Sequence, residues 1–160
     1  MELKTRRVHF AGCTCNPDGP WMKQIARNLT AFDGGFLNDK KYILMDRDTK
    51  FTAEFRTLLD GEGTECVLLP PKSPNCNAHL ERFFGSLKSE CVDKMIFFSE
   101  KSLRNAINEF VIHFHHERNH QGLDNKIIDP GPEVGQTSGE VMCDERLGGM
   151  LNYYHRRAAA

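Results

Sequence analysis

The stretch LMDRDTKF, residues 44–51, places two carboxylates directly after an apolar run. That run, Tyr42 to Met45, has the length and composition of a strand buried in a sheet. Asp46 and Asp48 follow it, and carboxylates at the end of a buried strand are costly unless something binds them. The ordinary alternative is a turn or a helix N-cap, where aspartate is common. The stretch therefore predicts a strand that ends in a candidate ligand-binding carboxylate.

Strands and helices are predicted to alternate on both sides of this stretch. The pattern predicts strands at about 6–12, 42–46 and 65–69, and helices at about 20–31 and 52–60. Thr49 or Thr52 can cap the second helix. Such alternation is typical of an α/β domain with a largely parallel sheet, whose ligands usually lie beyond the carboxyl ends of the strands. Asp46 lies at such an end.

The second half of the chain is predicted to be mainly helical. The prolines at 70, 71 and 74 predict an extended loop, which two helices follow at about 77–92 and 99–118. Glu81 and Lys88 are seven residues apart and share a face beside the apolar stripe of the first of these helices. Beyond Pro130 the chain is rich in turn residues, and only residues 145–157 are predicted to form a short helix.

Composition sets wide limits on function. The 160 residues, 27% charged and 39% hydrophobic, predict one globular domain. The 21 basic and 22 acidic residues nearly cancel, so only local clusters such as residues 4–7 favour a polyanionic partner. No apolar run approaches the roughly 18 residues of a membrane span, and no signal peptide is recognisable, which predicts a cytoplasmic protein. The six cysteines show no C-x-x-C pair and are predicted to be reduced thiols.

Three motifs together resemble one family. MDRDTKF, LPPKSPNCNAHLERFFGSLKSE and HERNHQGL, with Pro130 downstream, resemble the integrase core of bacterial insertion-sequence transposases and retroviral integrases. These are DDE polynucleotidyl transferases with a ribonuclease-H-like fold. In that family an Asp follows a strand in a D-x-G-S/T-x-F/Y setting, and a helical Glu follows about 35 residues later. The resemblance covers roughly residues 1–130, as a partial catalytic core, and leaves residues 131–160 as a C-terminal tail.

The resemblance implies a site and its partners. It assigns Asp46 and Glu81, with 34 residues between them, as catalytic residues and ligands of Mg²⁺ or Mn²⁺. Phosphodiester chemistry of this kind uses two such ions, which prefer oxygen ligands. Asp48 stands where relatives usually have Gly and is left outside the site. The resemblance assigns Asn77, Arg82 and Lys88 to DNA contacts, although a capping Asn and solvated cations are the ordinary alternatives. The implied partners are transposon ends, target DNA, and a further copy or a full-length transposase, with no membrane.

Three histidines offer a second, weaker metal hypothesis. His113, His116 and His120 fall at helical spacing and could in principle bind zinc. His120, however, matches the closing histidine of the family, and no Cys or Asp nearby in the sequence completes a zinc site. Zinc is therefore not predicted here.

The resemblance also implies a missing part. The first catalytic Asp of the family lies on a strand that would precede Met1, while MEL resembles the end of the second strand, before a turn at KTRR. Glu2 is not a substitute for that Asp. The expectation is an integrase core that lacks its first strand and most of its second, binds Mg²⁺ weakly and is inactive alone. The alternatives are a non-catalytic DNA-binding or subunit-interaction remnant, and a nonfunctional remnant that does not fold alone.

Overall fold

The computed structural model describes residues 1–71 and 73–157, so Lys72 of the proline-rich loop and the last three residues of the tail lie outside the described residues. The chain forms two compact units. The α/β unit is Ala11–Ala78, and the helical unit combines Met1–Phe10 with the chain from His79 onward. The helices are α1 (Gly19–Leu29), α2 (Ala53–Gly61), α3 (Ala78–Glu90) and α4 (Glu100–His116). The strands are β1 (Tyr42–Met45), β2 (Glu65–Leu68), β3 (Val141–Arg146) and β4 (Leu151–Arg156).

The α/β unit is built on a parallel pair of strands. β1 and β2 run side by side in register from Tyr42 opposite Glu65 to Met45 opposite Leu68. The buried side chains of α1 and α2, including Ile25, form one core with Met45. The predicted strands and helices of this region are confirmed within a few residues, and so is the α/β class.

One expectation about β1 is wrong. The apolar run predicts a buried strand, yet Tyr42 is 52% and Leu44 is 43% exposed. Ile43 and Met45, which point to the other face, pack with the α1 and α2 core. Side chains alternate along a strand, so apolar cover on one face leaves every second residue exposed.

Side-chain caps begin α1, α2 and α4. The Asp18 carboxylate accepts the Trp21 N–H at 2.9 Å and begins α1. Of the two candidate threonines, Thr52 is the cap of α2, since its hydroxyl accepts the Phe55 N–H at 3.2 Å. Ser99 and Ser102 form a reciprocal capping box at the start of α4.

An aromatic cluster joins α3 and α4 in the helical unit. The Phe83 ring lies edge-on to Phe110 and Phe114, with ring centroids 6.0 and 5.0 Å away. Cys91 is fully buried in the same core, and none of the six cysteines, all within the described residues, forms a disulfide. Both predicted helices are confirmed, although the apolar residue Phe84 of α3 is 55% exposed. Within residues 1–71 and 73–157, no helix combines the length and hydrophobicity needed to cross a membrane.

The strand predicted at residues 6–12 is not formed. In the described part of the chain β1 and β2 pair only with each other, so this segment has no neighbouring strand to complete its backbone hydrogen bonds. A turn precedes the segment, closed by the Glu2 N–H to the Arg7 carbonyl at 2.8 Å. This turn lies where KTRR predicts one. Val8 is buried against the helical core instead of in a sheet.

The short helix predicted at residues 145–157 is also wrong. β3 and β4 form an antiparallel hairpin, with Arg146 opposite Leu151 next to the turn. Leu147, Gly148 and Gly149 have φ values of 51°, 67° and 84°, which a right-handed helix cannot contain. The Gly-Gly pair between two strand-like runs is the hairpin signal that helical periodicity obscured.

Candidate functional site

Asp46 lies at the carboxyl edge of the β1–β2 pair. It directly follows β1 and is exposed, and its Oδ1 accepts the Asp48 N–H at 3.1 Å. Arg47 Nε donates to the carbonyl of Leu69, the residue after β2, at 3.1 Å. Because the strands are parallel, their carboxyl ends meet at one edge. Asp46 is thus held by a local turn at the edge where ligands of parallel sheets usually bind.

The two aspartates of the stretch differ in their partners. Asp48 Oδ1 accepts the Lys50 N–H at 3.0 Å, and Oδ2 pairs with Lys50 Nζ. Both hydrogen bonds from Lys50 lower the pKa of Asp48, and the one from the Lys50 side chain has the larger effect. Asp46 has no ion pair among the described residues. The carboxylate of Asp46 is therefore the more available of the two for a bound cation.

Glu81 lies in the first turn of α3, with its side chain exposed. Within the described part of the chain it makes no side-chain hydrogen bond or ion pair. A carboxylate is favourable near a helix N-terminus, where the backbone N–H groups are unpaired. Lys88, about two turns later on the same face, is 69% exposed and pairs with Asp93 Oδ1. One face of α3 thus presents an anionic group and a cationic group to solvent.

Asn77 and Arg82 occupy different settings. Asn77 closes the 3₁₀ turn Pro74–Asn77 directly before α3 and is half-buried. Arg82 is exposed and lines a cavity of about 240 Å³ together with His79 and Phe83. On a helix with 3.6 residues per turn, Arg82 lies about 100° around from Glu81, while His79 lies on the side opposite Glu81.

The two carboxylates assigned to a common metal site belong to different units. Asp46 is in the α/β unit and Glu81 in the helical unit. Across residues 1–71 and 73–157, no three His, Cys, Asp or Glu side chains form a group that could hold a metal ion. The shared metal site therefore remains a prediction from the family resemblance.

Side chains of the HERNHQGL motif, residues 116–123, contact other groups of the helical unit. Arg118 Nη1 pairs with Glu90, and His120 Nε2 lies 2.7 Å from the Phe114 carbonyl, with its ring 4.5 Å from the Phe114 ring. His116 Nδ1 lies 3.1 Å from the Asp129 carbonyl. The histidines considered for zinc thus contact protein groups that fix the turn after α4.

A charged network escaped the sequence prediction. Glu117 Oε1 accepts from Arg146 at 2.8 Å from Nε and 2.6 Å from Nη2, and its Oε2 lies 2.8 Å from His113 Nδ1. Glu109 Oε2 accepts from Arg146 Nη1 at 2.8 Å. Burial acts to raise the pKa of Glu117, but hydrogen bonds from Arg146 and His113 outweigh it and lower that pKa. Arg146 and Glu117 are 29 residues apart, and no local spacing signals their pairing.

Comparison with known families agrees with the motifs. Residues 62–127, which include β2, α3 and α4, match the family model of the integrase core domain. The match confirms the resemblance to an integrase core domain over this stretch. The match includes Asn77, Glu81, Arg82 and Lys88 and begins after Asp46. Neither the curated proteins nor the solved structures compared with the chain gave a match.

Proposed function

We propose that the chain is a transposase or integrase core segment that binds DNA and supplies carboxylates for polynucleotidyl transfer. The observation that carries the proposal is the integrase core match over residues 62–127, which contains the exposed Glu81 at the start of α3. The proposed fold is ribonuclease-H-like. The parallel β1–β2 pair with α1 and α2 packed on one face supports an α/β fold of this kind.

Asp46 and Glu81 are the proposed metal ligands. Both carboxylates are exposed, and neither is neutralised by an ion pair among the described residues. Their oxygen atoms are the donors that Mg²⁺ and Mn²⁺ prefer, so the residues fit such an ion. Divalent ions bound there would stabilise the attacking and leaving oxygens of a phosphodiester. Two protein carboxylates are expected to hold these ions weakly.

The cationic and polar groups of α3 are the proposed DNA contacts. Lys88 and Arg82 are exposed, and their charges can pair with backbone phosphates without reading sequence. Asn77 can donate its amide to a phosphate or sugar oxygen. Such contacts position a duplex and make its binding depend on salt.

The proposal is tested by separating metal binding from DNA binding. Mn²⁺ should broaden NMR signals near Asp46 and Glu81, and Asp46→Asn or Glu81→Gln should reduce the broadening at both sites. Asp48→Asn is the matched control and should have a much smaller effect. Without metal, neither of the two ligand variants should weaken duplex binding, since each replaces an anion with a group of similar volume. Mn²⁺ broadening that both variants leave unchanged would refute the ligand assignment.

Cleavage assays then separate the catalytic proposal from its rival. Nicking of transposon-end DNA with Mg²⁺ or Mn²⁺, abolished by Asp46→Asn, would support a catalytic core. Salt-dependent duplex binding without nicking, and without Mn²⁺ broadening near Asp46 and Glu81, would favour a non-catalytic DNA-binding or subunit-interaction role.

A further inference from the structure

Three segments of the helical unit enclose a cleft of about 240 Å³ that is separate from the proposed carboxylate site. One face of α3 contributes His79, Arg82, Phe83 and Ser86, which have the i, i+3, i+4, i+7 spacing of a single helix face. The turn after α4 contributes residues 118–123, and the N-terminal turn contributes Arg6. Glu81 does not line the cleft, because it lies on the other side of α3.

The cleft concentrates positive charge in a chain that is nearly neutral overall. Arg6, Arg82 and Arg118 line it, and no Asp or Glu is among the described lining residues. Glu90 neutralises only Arg118, through Nη1. Arg82 makes no ion pair or side-chain hydrogen bond in the described part of the chain, so its guanidinium donors are available to a ligand.

Arg6 is held toward the cleft by an uncommon backbone conformation. Its φ is +64°, a region that non-glycine residues rarely adopt because Cβ approaches the backbone. The turn is closed around it by the Arg6 N–H to the Glu2 carbonyl at 2.9 Å, and Arg6 Nη1 donates to the Leu3 carbonyl. The turn thereby adds a second arginine to the lining of the cleft that Arg82 also lines.

Neutral hydrogen-bonding groups complete the lining. Asn119, Gln121 and Ser86 supply amide and hydroxyl donors, and His120 is fixed by its contact with the Phe114 carbonyl. Burial lowers the pKa of His120, which keeps that ring neutral near pH 7. Guanidinium forks combined with neutral donors match the several acceptor oxygens of a phosphate group.

We propose that this cleft binds a phosphate group, with Arg82 and Arg6 as its principal ligands. The phosphate can come from a DNA backbone or from a small phosphate compound, and the inference rests on the proposed function only for the DNA source. Binding at this cleft needs neither Asp46 nor Glu81.

The test follows backbone amide resonances during titration with inorganic phosphate, a 5′-mononucleotide and a short DNA duplex, each at constant ionic strength. We expect phosphate to shift the amides of Arg82 and residues 118–123. Arg6→Gln combined with Arg82→Gln should weaken this binding about tenfold, since two charge-assisted contacts are lost. Arg82→Gln alone, which leaves the N-terminal turn intact, should produce a smaller loss of the same sign. Lys101→Gln removes an equal charge from an exposed position on α4 and should change nothing.

The possible outcomes either distinguish a DNA backbone from a small phosphate compound as the phosphate source, or refute phosphate binding at the cleft. A duplex that shifts the same amides and competes with phosphate would identify a DNA backbone as the source. Binding of phosphate or the mononucleotide without any duplex binding would support the cleft while refuting the proposed DNA function. Duplex binding that the double variant leaves unchanged, together with no phosphate response, would refute the cleft and the proposed Arg82 contact, and would leave DNA binding through the other proposed contacts standing.

Discussion

The backbone N–H of Val8 donates a hydrogen bond to Nε2 of His115 at 2.9 Å, across 107 positions of sequence. His115 is buried near the C-terminal end of α4, so this hydrogen bond links the N-terminal segment to that helix. Nε2 can accept only when the imidazole is neutral, with its proton on Nδ1. The contact therefore makes the packing of the first ten residues sensitive to the protonation of one side chain.

Unfolding free energy should depend on pH through His115. Burial, the largest cause, lowers its pKa from 6.5; Asp129 opposes this, while Arg7, His116 and His120 reinforce it. A lowered folded pKa means that the unfolded chain binds the proton more readily, so the stabilisation is complete above about pH 6.5 and is lost as the pH falls through the folded value. Urea unfolding at several pH values should show this loss.

His115→Gln should make that pH dependence shallower, because glutamine can offer an acceptor oxygen but does not titrate. Some slope should remain, since burial also lowers the pKa of His9 and of His120. A histidine resonance titration would report the pKa of His115 directly. An identical slope in wild type and His115→Gln would show that this contact does not control acid stability.

The Arg146 network should contribute more through Glu117 than through Glu109. The Glu117 side chain is 6% exposed and that of Glu109 is 42% exposed. Arg146→Met leaves the buried Glu117 without its main donors, and we expect a loss of about 2 kcal/mol in unfolding free energy. Glu109→Gln should cost well under about 1 kcal/mol, because solvent screens an exposed pair. Equal losses for Arg146→Met and Glu109→Gln in denaturant unfolding would contradict this ranking.

Lys88 should contribute to DNA affinity without sequence preference. If its ammonium contacts a phosphate, Lys88→Ala weakens binding of many duplexes alike and lowers the salt slope by about one counterion. Asp93→Asn should act in the opposite direction, since it releases Lys88 from its ion pair. Fluorescence anisotropy across a salt series measures both effects, with Lys101→Ala as the control. A slope that Lys88→Ala leaves unchanged would identify Lys88 as an ordinary solvated side chain.

Two glycine substitutions should change stability in opposite directions. Gly148 has φ +67°, and a Cβ added there would meet open space, so Gly148→Ala encounters only backbone strain. We expect it to destabilise the hairpin by about 1 kcal/mol. Gly85 lies inside α3, also with open space, and Gly85→Ala should stabilise by roughly 0.5–1 kcal/mol. Thermal unfolding of the two variants checks the signs; a stabilising Gly148→Ala would contradict the left-handed turn.

The helices and the two parallel strands could be predicted from the sequence because their causes are local. Apolar residues recur every three to four positions in α1 to α4, and the caps at Thr52 and Ser99 act on backbone groups only three residues away. The exposed Asp46 after β1 and Glu81 in the first turn of α3 follow from the same local rules together with the family motifs. Their assignment to one metal site remains a prediction.

Only the tertiary structure decided which segments pair and which faces are covered. Residues 6–12 have a strand-like pattern, but strand formation needs a neighbouring backbone, and Val8 instead bonds to His115. Three other features also depend on partners that are distant in the sequence. One face of β1 is exposed, and Arg146 pairs with Glu117. Arg6 and Arg82 line the same cleft. Periodicity specifies which residues share a face of an element. Which segment covers that face is decided by contacts between residues tens of positions apart. A local sequence pattern does not specify such contacts.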